Sequence, residues 1–204
     1  MYNNTLLICL LLVSTFACNN TTNSNTANKA GIMSQPASTP ETTAAPKSGD
    51  YTITILEQDL PSPRKEMTGT IKGINITVNY GSPAVKEREL WGTLVPYDKV
   101  WRTGANEATY ITTDQDIVFN DQLLKAGTYG LFTIPTATEW QVIFNLTSDQ
   151  WGAYEYDSEK DVLRMSILPQ KDASSTEHLD FTILDDKLVL NWGTLKLPIP
   201  IIPA

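Results

Sequence analysis

Cysteine and histidine are scarce in this chain. Its 204 residues include two cysteines, Cys9 and Cys18, and one histidine, His178. Both cysteines lie within the first 18 residues, so the rest of the chain can form neither a disulfide nor a thiolate metal site. A single histidine also excludes zinc sites that are built from several imidazoles. The sequence therefore predicts no metal site and no cofactor.

Basic side chains are also few. The chain has 15 Lys and Arg against 23 Asp and Glu, which gives a formal net charge of −8. All of this charge lies after residue 50, because residues 19–50 carry two basic and two acidic side chains. Binding to phosphate backbones needs clustered Lys or Arg, so nucleic acid is not predicted as a partner.

The apolar run near the N-terminus is too short to span a bilayer, which takes about 20 residues. Residues 6–13 have the length of a signal-peptide core. The string Ser14-Thr15-Phe16-Ala17-Cys18 resembles a lipobox, although Thr15 stands where leucine is usual. We predict a signal peptide over residues 1–17 and acylation of Cys18, with palmitate among the attached chains. The predicted partner is the lipid bilayer, and the predicted location is the cell envelope, at the periplasmic side or the outer membrane.

A polar segment follows the cysteine. All but six of residues 19–50 are Asn, Thr, Ser, Ala, Pro, Gly or Gln. A segment with so little apolar surface cannot offset its ordering entropy, so residues 18–50 are predicted to form the lipidated cysteine and a disordered tether. Residues 51–204 hold all five Trp and seven of the eight Tyr, which predicts one folded domain.

The domain shows the period-two pattern of half-buried strands. Apolar and polar residues alternate over residues 74–80, 140–146, 179–183 and 188–199. Turn pairs at 72–73, 120–121, 126–127 and 185–186 separate strand-like runs. Residues 84–91 are the only candidate for a short helix. We predict an all-β fold, a single antiparallel β-sandwich or flattened barrel of about nine or ten strands with at most one short helix.

The most specific part of the sequence is the string Trp-Arg-Thr-Gly-Ala-Asn-Glu-Ala-Thr at 101–109. It follows Asn-Tyr-Gly-Ser-Pro at 79–83 and Glu-Arg-Glu-Leu-Trp-Gly at 87–92, and it precedes Leu-Lys-Ala-Gly-Thr-Tyr-Gly-Leu-Phe-Thr-Ile-Pro at 124–135. Together these motifs resemble the bacterial family named domain of unknown function 2911, over most of residues 62–199. The resemblance implies a secreted or lipid-anchored envelope protein and carries no activity, cofactor or catalytic residue.

Two interpretations of the 101–109 string remain open. In the first, the string pins a loop, with Arg102 and Glu107 paired around Gly104 and Asn106 bonded to the backbone. In the second, the string lines a pocket. The candidate binding residues are then Tyr80, Arg88, Trp101, Arg102, Asn106 and Glu107.

Other candidates carry weaker signals. Trp151, Tyr154 and Tyr156, near Asp157 and Asp161, form an aromatic loop that either stacks on sugar rings or packs against the domain. Arg88 and Arg164 could join the site at 101–109 or pair with surface carboxylates. A calcium site of Asp114, Asp116 and Asp121 lacks an EF-hand pattern, and His178 is interpreted as an exposed polar residue.

Three functions are compatible with these features. The first is an envelope module that binds a glycan, a peptide or an envelope protein. The second is a carboxylate-based hydrolase of glycans or peptides, with Glu107 as the acid or base and Asp157 or Asp161 as its partner. The third is a purely structural envelope protein.

Overall fold

The computed structural model describes residues 48–204, and within this range the chain is almost entirely strand. The strands are β1 (Tyr51–Glu57), β2 (Arg64–Ile71), β3 (Ile74–Gly81), β4 (Tyr110–Thr113), β5 (Ile117–Phe119), β6 (Gln122–Leu124), β7 (Gly127–Ile134), β8 (Trp140–Asn145), β9 (Asp161–Ile167), β10 (Gln170–Leu184) and β11 (Lys187–Pro200). One turn of 3-10 helix, Ser158–Lys160, precedes β9.

The strands form one large sheet and two hairpins, all antiparallel. The large sheet has seven strands in the order β1-β2-β3-β4-β7-β8-β9, and the hairpins are β10-β11 and β5-β6. The turns Lys72-Gly73 and Asp185-Asp186 have positive φ at both residues, as a type I′ turn requires. The predicted all-β sandwich is confirmed, with 11 strands in the described range because β5 and β6 are short extra strands.

The core lies between the seven-stranded sheet and the β10-β11 hairpin. From β3 it receives Ile74, Ile76 and Val78, each at most 1% exposed, and from β10 Leu179 and Phe181, which have no exposed surface. Burying each such side chain stabilises the fold by about 1.5–3 kcal/mol relative to exposure. Side chains of β3 and β10 therefore hold the two layers together.

The opposite face of the large sheet is polar over β1 to β4 and β7. Five threonines lie directly opposite one another across these neighbouring strands, Thr52, Thr68, Thr77, Thr112 and Thr128. Cross-strand threonine pairs stabilise a sheet through their hydroxyls and methyl groups. The Oγ1 atoms of Thr112 and Thr128 lie 2.8 Å apart, within hydrogen-bonding distance. This row of threonines faces solvent and does not form a second core.

The candidate helix at residues 84–91 does not form, an outcome that the prediction of at most one short helix allows. The backbone N–H of Val85 donates to the carbonyl of Glu177 at 2.8 Å, and the N–H of Lys86 donates to the Glu177 carboxylate at 3.0 Å. Lys86 and Glu87 have φ values of 49° and 56°, outside the helical region. Strand β10 thus takes the donors that this segment offers.

The predicted signal peptide, Cys18 and most of the predicted tether lie outside the described residues. The last three tether residues, 48–50, lie within them and contact the domain. Ser48 forms a β-bridge with Leu184, and the N–H of Gly49 donates to the carbonyl of Ile183 at 3.0 Å. Among residues 48–204, no helix is both long and apolar enough to cross a membrane.

The contact between Gly49 and β10 predicts a cost for any larger side chain at residue 49. A Cβ at this position would lie 2.3 Å from Cγ2 of Ile183. We expect Gly49→Ala to lower the free energy of unfolding by about 1–3 kcal/mol, as overpacking does. Urea unfolding measures the change, and Ser48→Ala, at an exposed side chain, is the control. Equal stability of the Gly49 variant and wild type would contradict this packing.

Candidate functional site

The segment 101–109 is held on β7 by backbone hydrogen bonds at both ends. The N–H of Trp101 donates to the carbonyl of Thr133 at 2.8 Å, and the N–H of Thr133 donates back at 2.9 Å. At the other end, the N–H of Leu131 donates to the carbonyl of Thr109 at 2.8 Å. The seven residues between these anchors therefore form an arch with closely fixed ends.

The middle of the arch rests on the end of β3. The N–H of Ala105 donates to the carbonyl of Gly81 at 3.2 Å. A Cβ at residue 81 would lie 2.0 Å from the carbonyl oxygen of Ala105, so this close approach requires glycine. Gly81 thus explains why the Asn-Tyr-Gly-Ser-Pro motif accompanies the 101–109 string.

A second loop is joined to the arch by backbone pairing. The N–H of Gly152 donates to the carbonyl of Asn106 at 3.0 Å, and the N–H of Ala108 donates to the carbonyl of Gln150 at 2.9 Å. Glu107 and Trp151 form the antiparallel bridge between these two bonds. The two loops that the sequence singled out separately are therefore one structural unit.

This unit covers the outer face of β7 and β8 with a small second core. Phe132 and Ile143 point away from the main core and are fully buried together with Ala108. The ring of Tyr156 packs edge-on to Phe132 at a centroid distance of 5.1 Å. Because this face is covered, Ile143 is buried although the alternation over residues 140–146 predicted a polar face there.

A cleft of about 720 Å³ opens beside the arch. Its size is within the range of small-molecule sites, about 300–1,000 Å³. Four of the six candidate residues line it, Arg88, Trp101, Arg102 and Asn106. The other lining residues are Ser62, Pro83, Leu94, Val95, Pro96, Lys99, Val100, Gly104, Ala105, Ala153, Tyr154 and Trp192.

The cleft has an aromatic floor. The rings of Trp101 and Trp192 are stacked with an interplanar angle of 18° and a centroid distance of 5.9 Å. Trp91 packs edge-on to both of them, and to Trp140 at 4.7 Å. The indole N–H of Trp101 donates to the carbonyl of Gly104 at 3.1 Å, which holds the ring in place. The lining aromatic rings thus belong to a rigid cluster of four tryptophans.

Three cationic side chains and no carboxylate line the cleft. Arg102 makes no ion pair with any described residue, and its Nε atom is buried without a hydrogen-bond partner. Burial lowers the pKa of Arg102, an effect that the phenol of Tyr154 opposes. Arg88 donates to the carbonyls of Val85 and Ala84 at 3.0 and 2.5 Å, and Lys99 is exposed. The cleft is therefore a cationic site in an acidic protein.

Asn106 combines both interpretations of the string. Its side-chain amide donates to the carbonyl of Ser62 at 3.0 Å, which is the backbone bond expected for a pinned loop. Its φ of 63° lies in the left-handed region, which asparagine tolerates better than most residues. Asn106 also lines the cleft, so it positions the wall rather than standing free as a donor.

Glu107 and Arg102 are not partners, so the ion pair expected across Gly104 was wrong. Glu107 Oε2 lies 3.5 Å from Nη1 of Arg64. Arg64 also lies over the ring of Tyr110, with its guanidinium carbon 5.7 Å from the ring centroid. Glu107 faces a second pocket of about 420 Å³, lined by Arg64, Glu107, Ala108, Tyr110, Thr128, Ser148, Asp149 and Gln150.

Tyr80 is not in the cleft, although the sequence suggested it as a stacking platform. Its side chain is fully buried, packs edge-on to Phe181 at 5.0 Å, and donates its hydroxyl to Asp180 at 3.0 Å. Burial raises the pKa of Tyr80 far above its usual range, and the Asp180 charge adds to this effect. Lys65 also binds Asp180 at 2.7 Å, so Tyr80 belongs to a structural network.

The aromatic loop divides into an anchored and an exposed part. The hydroxyl of Tyr156 donates to Asp161 at 2.7 Å, and Arg164 binds the same carboxylate. Burial and the bond to Asp161 raise the pKa of Tyr156 to about 12. Trp151 and Tyr154, by contrast, are 60% and 84% exposed. Tyr156 therefore packs structurally, while the other two rings face solvent.

Two of the three candidate calcium ligands have protein partners. Asp114 accepts two hydrogen bonds from Asn75, and Asp116 accepts from Lys125 and from the N–H of Ala126. The Lys125 side chain lowers the pKa of Asp116. Residues 48–204 contain no group of three or more His, Cys, Asp or Glu placed to hold a metal ion.

Sequence reasoning missed several lining residues. Lys99, Leu94 and Pro96 stand in ordinary loop sequence between two motifs, and Trp192 stands on a regular strand pattern. Their place in the sequence could have indicated Leu94, Pro96 and Lys99, because residues 94–100 connect the motif at 87–92 to the motif at 101–109. A turn between two specific motifs brings its own side chains to the same place.

Fold and cleft together define this molecule as an antiparallel β-sandwich with a cation-lined cleft. Residues 62–201 match the model of the family described as "Protein of unknown function (DUF2911)". The chain belongs to this family, which confirms the resemblance seen in the motifs. No curated protein and no solved structure matches the chain.

The pairing of Glu107 can be tested by double-mutant cycles. Arg64→Ala and Glu107→Ala each lower the free energy of unfolding, and the loss in the double variant should differ from the sum of the two by about 0.2–1 kcal/mol. The coupling is small because Glu107 is 45% exposed and solvent screens the pair. The losses of Arg102→Ala and Glu107→Ala should add within about 0.5 kcal/mol. Urea unfolding of the single and double variants measures both quantities. Coupling of Glu107 to Arg102 instead of Arg64 would contradict the observed geometry.

Proposed function

We propose that this protein is a lipid-anchored binding module of the cell envelope. Its ligand carries an anionic group on a ring with an apolar face, as an acidic sugar does. The observation that carries the proposal is the lining of the cleft, where Arg88, Lys99 and Arg102 meet without a carboxylate. The ring of Trp101, which stacks on the buried ring of Trp192, adds an aromatic surface to this lining.

The electrostatic argument rests on Arg102. A guanidinium that is partly buried without a counter-charge has lost hydration that no protein group replaces. A carboxylate or phosphate bound in the cleft would supply the missing partner, and arginine can hold either with two parallel hydrogen bonds. The net charge of −8 repels anions from most of the protein surface, so the three cations that line the cleft are what favours an anion there.

The aromatic floor favours ligands in which the anionic group is attached to a ring with an apolar face. Ligand sites combine apolar and aromatic walls with a few placed polar groups. Trp101 provides such a wall, supported from behind by Trp192, which is only 1% exposed, and Tyr154 stands exposed at the edge of the cleft. A pyranose ring presents an apolar face to such a wall and hydroxyls to its surroundings. A uronic acid therefore fits both chemistries of the cleft.

A carboxylate-based hydrolase is less well supported. Such an enzyme needs two carboxyl groups about 5–10 Å apart across the substrate. Glu107 shares the second pocket with the carboxylate of Asp149, but it is paired there with Arg64. Asp161, its predicted catalytic partner, is bound by Tyr156 and Arg164 instead. A purely structural function does not explain why Arg102 is partly buried without a partner. Binding is therefore the function that the cleft supports best.

The envelope location in this proposal is supported by the N-terminal sequence. Residues 6–13 form a short apolar run, and Ala17 precedes Cys18 at its end. A polar segment without buryable surface follows, as expected for a tether between a lipid and a domain. We propose acylated Cys18 as the anchor.

Binding of an acidic sugar should raise the melting temperature. We expect glucuronate to stabilise the wild-type protein more than equimolar glucose, because a ligand that binds only the native state raises its stability. Arg102→Ala should abolish the glucuronate shift, and Arg102→Lys should keep part of it. Lys125→Ala, which removes one exposed positive charge elsewhere, is the control. Equal shifts for glucuronate and glucose would contradict an anion-selective cleft.

The anchor can be tested in cells with a clickable fatty-acid analogue. The wild-type protein should be labelled and sediment with membranes, whereas Cys18→Ser should lose the label and the anchoring. The matched control is Cys9→Ser, which alters the other cysteine within the predicted signal peptide. Labelling of the Cys18→Ser protein at the wild-type level would rule out this anchor.

A further inference from the structure

The cleft and the pocket of Glu107 are neighbours that share one wall. Asn106 lines the cleft, and the next residue, Glu107, lines the second pocket. On the paired loop, Gln150 lines the second pocket and Ala153 lines the cleft. Because consecutive Cα atoms are 3.8 Å apart, the wall is one or two residues thick. A ligand larger than one ring can therefore reach both sites.

The loop that forms part of the shared wall carries an exposed aromatic ring. Trp151 lies between Gln150 and Gly152, is 60% exposed, and is bridged through its backbone to Glu107. Tyr154 stands on the cleft side of the same loop and is 84% exposed. Large exposed aromatic rings beside a pocket provide stacking surfaces for flat apolar faces. The loop between the two sites thus offers two exposed rings on which a ligand that spans both sites can stack.

The two sites differ in charge. The cleft has three cations and no carboxylate, whereas the second pocket has Arg64 with two carboxylates, Glu107 and Asp149. Asp149 is exposed and forms no ion pair with a described residue. Carboxylates accept hydrogen bonds from hydroxyl and amide donors, and they repel a second anion. The second pocket therefore favours a neutral group rich in donors.

We propose that the natural ligand is a polysaccharide in which acidic and neutral sugars alternate, and that it lies across the wall. The acidic sugar occupies the cleft at Arg102, the chain passes over Trp151, and the neutral sugar donates hydrogen bonds to Asp149 and Glu107. This inference rests on the proposed function, because it assigns the cleft to the acidic unit. It adds the second pocket as a subsite and names the class of ligand.

The test compares ligands of increasing length on the full chain. The probes are glucuronate and oligosaccharides of alternating glucuronic acid and N-acetylglucosamine with two, four and six units. Calorimetric titration should show affinity that rises about tenfold or more from glucuronate to the tetrasaccharide, since a second subsite is filled without a second association cost. Affinity should then level off at six units. Tryptophan fluorescence gives an independent readout from the floor of the cleft.

Two variants examine the second subsite. The affinity gain from glucuronate to the tetrasaccharide should be smaller in Asp149→Asn and in Trp151→Ala, by a factor of roughly 3 to 10 in each. Their matched controls are Asp121→Asn, an exposed carboxylate in the β5-β6 turn, and Leu168→Ala, an exposed apolar side chain. Both controls should show the full gain. A gain that survives in both Asp149→Asn and Trp151→Ala would overturn the second subsite.

The outcomes separate this inference from the function on which it rests. If glucuronate binds through Arg102 but longer chains bind no tighter, the extended site is refuted and the binding function stands. If neither glucuronate nor the oligosaccharides bind, both are refuted. A zwitterionic tripeptide that binds more tightly than the tetrasaccharide, with the same dependence on Asp149, would replace the polysaccharide by a peptide.

Discussion

The backbone hydrogen bonds of the 101–109 arch determine the rest of the site. Both ends of the arch are bonded to β7, its middle lies on Gly81, and its second half pairs with residues 150–152. Few backbone torsions remain free under these bonds, so the direction of each Cα–Cβ bond is fixed. Arg102 and Asn106 point to the cleft, while Glu107 points to the other side of the wall.

This divergence gives the site its electrostatic character. If Arg102 and Glu107 had met around Gly104, the two charges would have neutralised each other and left an ordinary pinned loop. Because Glu107 lies beside Arg64 instead, the positive charge of Arg102 remains available within a protein of net charge −8. A cation that the fold leaves unpaired at a partly buried position costs stability. The proposed anionic ligand would supply the counter-charge that Arg102 lacks.

The sandwich provides a rigid support for this arrangement. Trp140 on β8 and Trp192 on β11 belong to the two layers, and Trp91 and Trp101 from the connection between β3 and β4 pack against them. Aromatic contacts of this kind stabilise by about 0.5–1.5 kcal/mol each beyond area burial. The cleft wall is thus continuous with the main core. Loop residues at a site are usually the least constrained part of a domain, and here they are tied to both layers.

The sequence by itself determined the fold class and the place of the site. Period-two alternation and turn pairs such as Lys72-Gly73 depend on local backbone geometry, so they predicted the antiparallel strands and hairpins directly. The unusual string at 101–109 likewise marked the segment that lines the cleft. Local pattern did not decide residues 84–91, where Glu177, 91 residues from Lys86, accepts the backbone hydrogen bonds that a helix would need.

Only the tertiary structure decided which charges meet. The partner of Glu107 is Arg64, 43 residues away, and the segment beside the arch lies at residues 150–154. Tyr80 has the same alternating neighbours as any strand residue, yet its burial depends on Phe181 and Asp180 from the other layer. Sequence spacing describes which residues can be near along the chain. Burial and ion pairing depend on distances across the sandwich, which the packing of the two layers determines.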